Sequence, residues 1–279
     1  MGTFRDSDFH EKYGLFVQQS VNMQLNLNAD LGESFGPWPM GDDANLLGVV
    51  NSANIACGFH AGDPAVMAET ISVAASTNVS IGAHPGFPDL QGFGRRQMSI
   101  PSDELTALVQ YQLAALDGMS KIRGLPMTHV KPHGALNNIA CEDRAMADII
   151  VAAVKSYNAD LIFLAPVLSK LADAAKDASL FVALEVFADR AYTNTGSLVS
   201  RRKPGAVIDT AEGCIRQVLA MIEAGGIITE TGITLSTDFH SICVHGDNAH
   251  AVETASLLRD ALLSKGHELL PLPEIMFND

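Results

Sequence analysis

The sequence is short of positive charge, of cysteine and of long apolar runs, and each shortage removes a class of function. Lys and Arg number 18 against 32 Asp and Glu in 279 residues, a formal net charge of −14. Nucleic acid and anionic membrane both demand a basic footprint, so neither is expected as the main partner. A small anionic substrate answers to local charge and stays open. The four cysteines, Cys57, Cys141, Cys214 and Cys243, are widely spaced and form no CxxC pair. A chain of this size needs no disulfide staples, so reduced thiols in the cytoplasm are expected. No apolar run reaches the roughly 18 residues of a membrane helix. Dinucleotide and P-loop signatures are missing, and no cysteine sits in a recognisable catalytic setting. Water or a bound cofactor is therefore expected to do the chemistry, rather than a covalent intermediate.

What is present is core material, with 47% hydrophobic residues. Residues 1–22 lack the continuous apolar centre of a signal peptide and are expected to lie outside the fold as an extension. A single domain is expected over 23–279. Short apolar or β-branched runs predict strands at Gln24–Asn28, Ser52–Cys57, Val79–His84, Thr128–Pro132, Leu161–Ala165, Phe181–Phe187 and Phe239–His245. Helical spacing of apolar residues predicts helices over Ser102–Arg123, Asp143–Tyr157, Asp209–Ala224 and Asn248–Ser264. Asp63-Pro64 reads as an N-cap with proline in the first turn. The stretch from Gly225 to Thr237 predicts a small hairpin.

Strands alternating with helices describe a parallel α/β fold. An open doubly wound sheet and a closed barrel both fit the periodicity. The barrel is favoured because no dinucleotide fingerprint follows the first strand and because polar groups recur at nearly every strand C-terminus. Those groups are Asp30 with Glu33, then His60, His84, His133, Glu185 with Asp189 and Arg190, and His245 with Asp247. Seven strands make the expected barrel irregular.

Each constellation has a chemical reading and a plainer one. Asn26, Asn28 and Asp30 alternate, which puts them on one strand face. Asp-Leu-Gly is also ordinary turn chemistry, but three inward polar residues need partners. CGFHAGD (57–63) and CVHGD (243–247) echo one another. Their aspartates read as N-caps, and their histidines precede helix N-termini, which attract anions. A zinc site from Cys57, His60, Cys243 and His245 is disfavoured by the poor spacing of Cys243 and His245. His84 ends a strand before Pro85. In HVKPH, His129 and His133 are too far apart on a strand, about 13 Å, to share a metal. Lys131 and His133 are therefore site candidates, and His129 is structural. Glu185, Asp189 and Arg190 could combine a base with an anion clamp, or be a surface ion pair. Arg95 and Arg96, beside glycines, could form an anion-binding loop or a bare one. Histidines and carboxylates around one mouth could bind a divalent metal or work as acid and base without one.

Taken in order, NADLGE (28–33), SANIACGFHAGD (52–63), IGAHPGFPD (81–89), FGRR (93–96), HVKPHGAL (129–136), EVFADRAY (185–192) and CVHGD (243–247) resemble the LamB/YcsF family. The resemblance runs from about Met23 to the C-terminal helix. It implies an irregular (β/α)7 barrel, TIM-barrel-like and related to the glycoside hydrolase and deacetylase barrels. It also implies ATP-dependent opening of 5-oxoproline to glutamate, with 5-oxoprolinase subunits B and C as partners and ATP on this chain or on a partner. Asp30 or Glu185 would then be the base, with His60, His84 and His133 as donors or acid. Asn28, Glu33, Arg95, Lys131, Arg190, His245 and Asp247 would contact substrate or phosphate. If a metal is present, Asp30, His60, His84 and His133 are the first candidates to hold it. Asn137 stands where the family is expected to carry Tyr. Two rival classes are a metal-dependent hydrolase of amides or acetylated sugars and a noncatalytic ligand-binding subunit.

Overall fold

A computed structural model describes residues 22–245 and 251–277. Nearly all of the expected extension, and Asp247, lie outside the described residues. In chain order the elements are β1 (Gln24–Leu31), α1 (Asp43–Leu47), β2 (Ser52–Ala56), α2 (Pro64–Ala74), β3 (Ser80–His84), α3 (Ser102–Lys121), β4 (Met127–Val130), α4 (Gly134–Glu142) and α5 (Arg144–Tyr157). Then come β5 (Ile162–Pro166), α6 (Lys170–Asp177), β6 (Phe181–Phe187), α7 (Ala211–Ala224), β7 (Gly226–Ile228), β8 (Thr234–Ser236), β9 (Ser241–His245), α8 (Ala251–Ser264), β10 (Glu268–Leu269) and α9 (Leu272–Met276).

Strands β1 to β6 and β9 are parallel neighbours, and β9 pairs back onto β1, so seven strands close a barrel. The short β10 adds to the start of β1, and β7 with β8 form the expected antiparallel hairpin outside the barrel. No helix among the described residues is long and apolar enough to cross a membrane.

Strand periodicity sorts the side chains. On β1, Leu25, Leu27, Ala29 and Leu31 alternate with Asn26, Asn28 and Asp30, and all are buried. The aliphatic set belongs to the main apolar core, together with Leu105, Val109, Leu113 and Leu116 of α3. The barrel interior around β1 is instead polar and hydrogen-bonded, beside a small apolar cluster of Ile162, Leu164, Ala183 and Leu272. Asn26 Nδ2 donates to Leu270 O (2.8 Å) and Ser52 Oγ (2.8 Å), and Ser241 Oγ donates to Asn26 Oδ1 (2.7 Å). Asn28 Nδ2 donates to Ser241 Oγ (2.8 Å), and Asn54 Nδ2 donates to Asn28 Oδ1 (2.8 Å) and Asp30 Oδ1 (2.9 Å). Polar groups out of water need such partners, and here they form a ladder from the barrel floor to Asp30.

His129 is part of that interior, in agreement with its structural reading. Its Nε2 faces Asn54 Oδ1 at 3.1 Å and must donate, so Nδ1 accepts from Thr128 Oγ1 at 2.9 Å. Burial first, then the nearby Lys131 charge, pushes this imidazole down to about 3, so it is neutral. Its ring lies against Gly82, where a methyl group would overlap the imidazole. Gly82→Ala is therefore expected to destabilise the fold by roughly 1–3 kcal/mol, the usual range for overpacking, as read from a urea unfolding midpoint. A midpoint equal to wild type would refute the close approach.

Two local expectations change. The first strand runs past the expected Asn28, through Asp30 to Leu31, and the chain turns at Gly32 (φ +70°). Helices α4 and α6 and the closing segment β10–α9 were not anticipated, because each is short and interrupts no long periodic run.

Candidate active site

The C-terminal ends of the strands open into a cavity of about 490 Å³, lined among others by Asp30, Glu33, His84, Arg95, Lys131, His133, Arg190, Arg201, Arg202 and His245. Strand register explains much of this gathering. Asp30 on β1 pairs laterally with Asn54 on β2 and with His245 on β9, and Ala56 on β2 pairs with His84 on β3.

On one wall, Glu33, His60, His84 and His133 bring one ligand atom each within 4.8 Å of one another, a group able to hold a metal ion. The carboxylate in it is Glu33, not the Asp30 expected from sequence. His60 and His133 stack face to face, with centroids 3.6 Å apart. His84 Nδ1 lies 2.6 Å from Lys131 O, and His133 Nε2 lies 2.9 Å from Phe93 O. A carbonyl only accepts, so both of these nitrogens carry protons. The remaining nitrogens, His84 Nε2 and His133 Nδ1, face each other at 2.9 Å, so a shared proton or a cation beside them joins the pair. Asp30 Oδ2, 3.3 Å from His84 Nε2, and Glu33 Oε1, 3.6 Å from His133 Nδ1, supply compensating negative charge. Burial, then the neighbouring imidazoles, holds both His60 and His133 well below the usual histidine range.

His60 fits less well as a ligand or as an anion site. Its Nε2 points to Glu33 Oε1 (3.2 Å), and its buried Nδ1 has no partner. Metal-bound histidines normally donate from the second nitrogen, which His84 and His133 do and His60 does not. Nor does His60 reach the helix behind it: Asp63 occupies that N-terminus, accepting from Ala65 N (2.7 Å) and Val66 N (3.0 Å). The conformation of Gly94 (φ +62°) allows the stack, since a Cβ there would sit 2.7 Å from His60 Cβ and 2.8 Å from His133 Cδ2.

Lys131 is not the open anion clamp expected. It is buried, and its Nζ donates to Asp30 Oδ1 (2.9 Å), lies 3.0 Å from Glu185 Oε1 and 3.1 Å from Cys243 Sγ. Burial alone would lower its pKa, but Asp30, Cys243 and Glu185 hold the ammonium well above its ordinary value. Asp30, Cys243 and His245 also cluster, but the Lys131 ammonium already stands between Asp30 and Cys243 and supplies the positive charge. Asp30 is thereby held, against the upward push of burial, well below the usual carboxylate range by His84 and Lys131.

Glu185 does not line the cavity. It lies deeper, in β6, bound by Asn28 Nδ2 (2.9 Å) and Lys131, and burial raises its pKa against the pull of Lys131. Asn28 is likewise interior. Of these two carboxylates only Asp30 lines the cavity. The four-residue zinc alternative is not assembled: Cys57 Sγ turns onto Ile55 O, and Cys57 and Cys243 fall in no common ligand group.

Beside Asp30, at the end of β9, the pairing differs from the one expected. Asp189 holds His245, not Arg190: His245 Nδ1 is 2.8 and 2.7 Å from the two Asp189 oxygens. Arg190 lines the cavity, but its Nη2 and Nε donate to Val199 O (2.6 Å) and Ala206 O (3.3 Å), and burial with Arg201 lowers its pKa to about 10. Arg95, exposed at the rim, stacks on Phe93, whereas Arg96 is paired with Asp89. Arg201 and Arg202 complete a cationic rim that sequence reasoning missed. Their signal was the Arg-Arg-Lys run at 201–203, an unusual concentration in so acidic a chain.

The comparisons with known proteins agree with this geometry. The A subunit of 5-oxoprolinase from Azoarcus sp. (strain BH72) is 54% identical over 253 residues, covering 91% of this chain and 99% of the relative. Its counterpart from Tolumonas auensis is 48% identical over 246 residues, covering 88% and 98%. Among solved structures, a lactam utilization protein from Thermus thermophilus superposes with a TM-score of 0.84 at 40% identity, covering 90% of this chain and 100% of that one. The LamB/YcsF family profile matches residues 25–277, the whole barrel and its closing helix, and the chain belongs to that family.

Proposed function

We propose that this chain is the A subunit of an ATP-dependent 5-oxoprolinase, opening the lactam of 5-oxoproline to glutamate in the cytoplasm together with subunits B and C. The observation that carries this reading is the cavity itself. One wall offers an ionised carboxylate and two facing imidazole nitrogens, and the rim is cationic. The chain is also similar over nearly its full length to relatives named for the A subunit of 5-oxoprolinase.

A lactam is a resonance-stabilised amide with a poor leaving group. Transfer of a phosphoryl group from ATP to the carbonyl oxygen would activate it, and water would then attack the carbon. The absence of a P-loop motif favours a seat for ATP on one of the partner subunits. Arg95, Arg201 and Arg202 suit the carboxylate and phosphoryl groups, since guanidinium forks match planar oxyanions. Asp30 Oδ2, free of the Lys131 clamp on Oδ1, faces the water position and takes the proton. The facing nitrogens of His84 and His133, with Glu33, fit a divalent cation. When bound, such an ion lowers the pKa of water and polarises a carbonyl.

The test is a reconstituted assay with and without each partner subunit, following glutamate and ADP together, on protein whose metal content has been measured. Glutamate formation that needs this chain is expected, as is a near-stoichiometric divalent ion that His84→Ala removes. Glutamate formation without this chain would refute the function. Full activity from metal-free protein would refute the cation and leave His84 and His133 sharing a proton.

A further inference from the structure

We infer that His245, held by Asp189, is the proton donor to the ring nitrogen, and that this dyad decides whether ATP cleavage yields glutamate. The inference rests on the phosphorylated-lactam reading above.

The need for such a group follows from atom balance. Phosphoryl transfer forms a bond from the lactam oxygen to phosphorus and breaks the bond to ADP. Water then adds to the carbon, giving up a proton to the base. The resulting tetrahedral carbon bears a hydroxyl, a phosphate oxygen and the ring nitrogen, and it has two exits. If the carbon–oxygen bond to phosphate breaks, phosphate leaves and the lactam returns, now carrying the oxygen of water; ATP has been spent for nothing. If the carbon–nitrogen bond breaks, the electron pair goes to nitrogen, which must take a proton. The product is then a ring-opened acyl phosphate, which water hydrolyses to glutamate and phosphate. Phosphate leaves far more readily than an unprotonated amine, so the productive exit needs a proton placed at nitrogen.

The structure has a group built for this next to Asp30 and distinct from the His84 and His133 pair. His245 lies at the end of β9, lateral to Asp30. Both Asp189 oxygens lie within 2.8 Å of its Nδ1, which fixes the Nδ1–H tautomer and directs Nε2 away from Asp189. Burial would raise the Asp189 pKa, but His245, Arg201 and Arg190 hold it below the ordinary value, so it is ionised and stabilises a positive ring. Phe187 backs the imidazole, with centroids 5.7 Å apart and planes 17° off parallel. At rest Nε2 accepts from Arg201 Nη2 at 3.2 Å. A phosphoryl group is the better partner for an exposed arginine, so the activated substrate draws Arg201 off Nε2 and leaves that nitrogen to carry the proton. Asp189 acts through His245 and is a positioning residue.

The experiment uses the complex reconstituted with its partner subunits, ATP and 5-oxoproline in heavy-oxygen water. The wild type is expected to release glutamate and ADP in equal amounts and to return unlabelled lactam. His245→Gln should lower the glutamate-to-ADP ratio by about a hundredfold, the low end for a positioned acid, with label appearing in the recovered lactam. Asp189→Asn should uncouple in the same direction, and Asp189→Glu should restore part of the ratio. A general structural loss would reduce glutamate and ADP together, with the ratio unchanged and no label, and would overturn the inference. So would Asp189→Asn retaining the wild-type ratio. If the wild type itself yields no glutamate with its partners, the proposed function fails, not the dyad alone.

Discussion

Lys131→Met is expected to destabilise the folded chain by about 3–5 kcal/mol, the range for removing one partner of a buried ion pair. The ammonium is 4% exposed and is the charge that both Asp30 and Glu185 rest on. A thioether of similar length fills the space but donates nothing. The effect has a pH signature. Glu185 is already raised by burial in spite of Lys131, so loss of the lysine raises it further. A carboxyl whose folded pKa exceeds the unfolded value of about 4.3 penalises the fold above that pH. The penalty should therefore shrink as pH is lowered toward the unfolded value. Glu185→Gln in the same chain should recover part of the loss at neutral pH. Urea unfolding of the three proteins across pH checks this. Equal destabilisation at every pH, with no recovery in the double variant, would show that Lys131 acts by packing alone.

The second large effect is at the facing imidazoles. His133→Ala should reduce glutamate formation by roughly 10²–10⁴-fold, as expected for a positioned acid–base or ligand group, while the melting temperature changes little. His133 lies on the cavity wall and its loss opens space toward the mouth, whereas His129 is sealed in the barrel. His60→Ala should be milder in rate, since His60 does not line the cavity and acts through Glu33 and the stack on His133. A His133→Ala protein with wild-type turnover in the complex would place the chemistry elsewhere.

The barrel was legible because its signals are local. Apolar and polar residues alternate on β1, and chemistry-bearing residues recur where strands end. His129 could be set apart from His133 by strand rise alone. What stayed illegible depends on reach and depth. Lys131 and Glu185 sit near strand ends in sequence, yet one side chain bends inward and the other is a layer lower, so they neutralise each other instead of facing a ligand. Glu33 and Asp30 are three residues apart, but the turn at Gly32 hands the imidazole cluster to Glu33. Asp189 and Arg190 are adjacent, and only the fold shows that Asp189 serves a strand 56 residues away. Arg201 and Arg202 come from a loop with no periodicity to announce it.

The polar ladder inside the barrel has a consequence for how this sequence can drift. Each amide in it has its orientation set by the next, from Leu270 O at the floor through Asn26, Ser241, Asn28 and Asn54 to Asp30. Reversing Asn54, for example, would put acceptor against acceptor at Asp30 and donor against donor at His129. Single substitutions at these positions are therefore expected to be filtered out, and change should arrive as concerted replacements. The cavity mouth and the barrel floor would then be inherited as one unit.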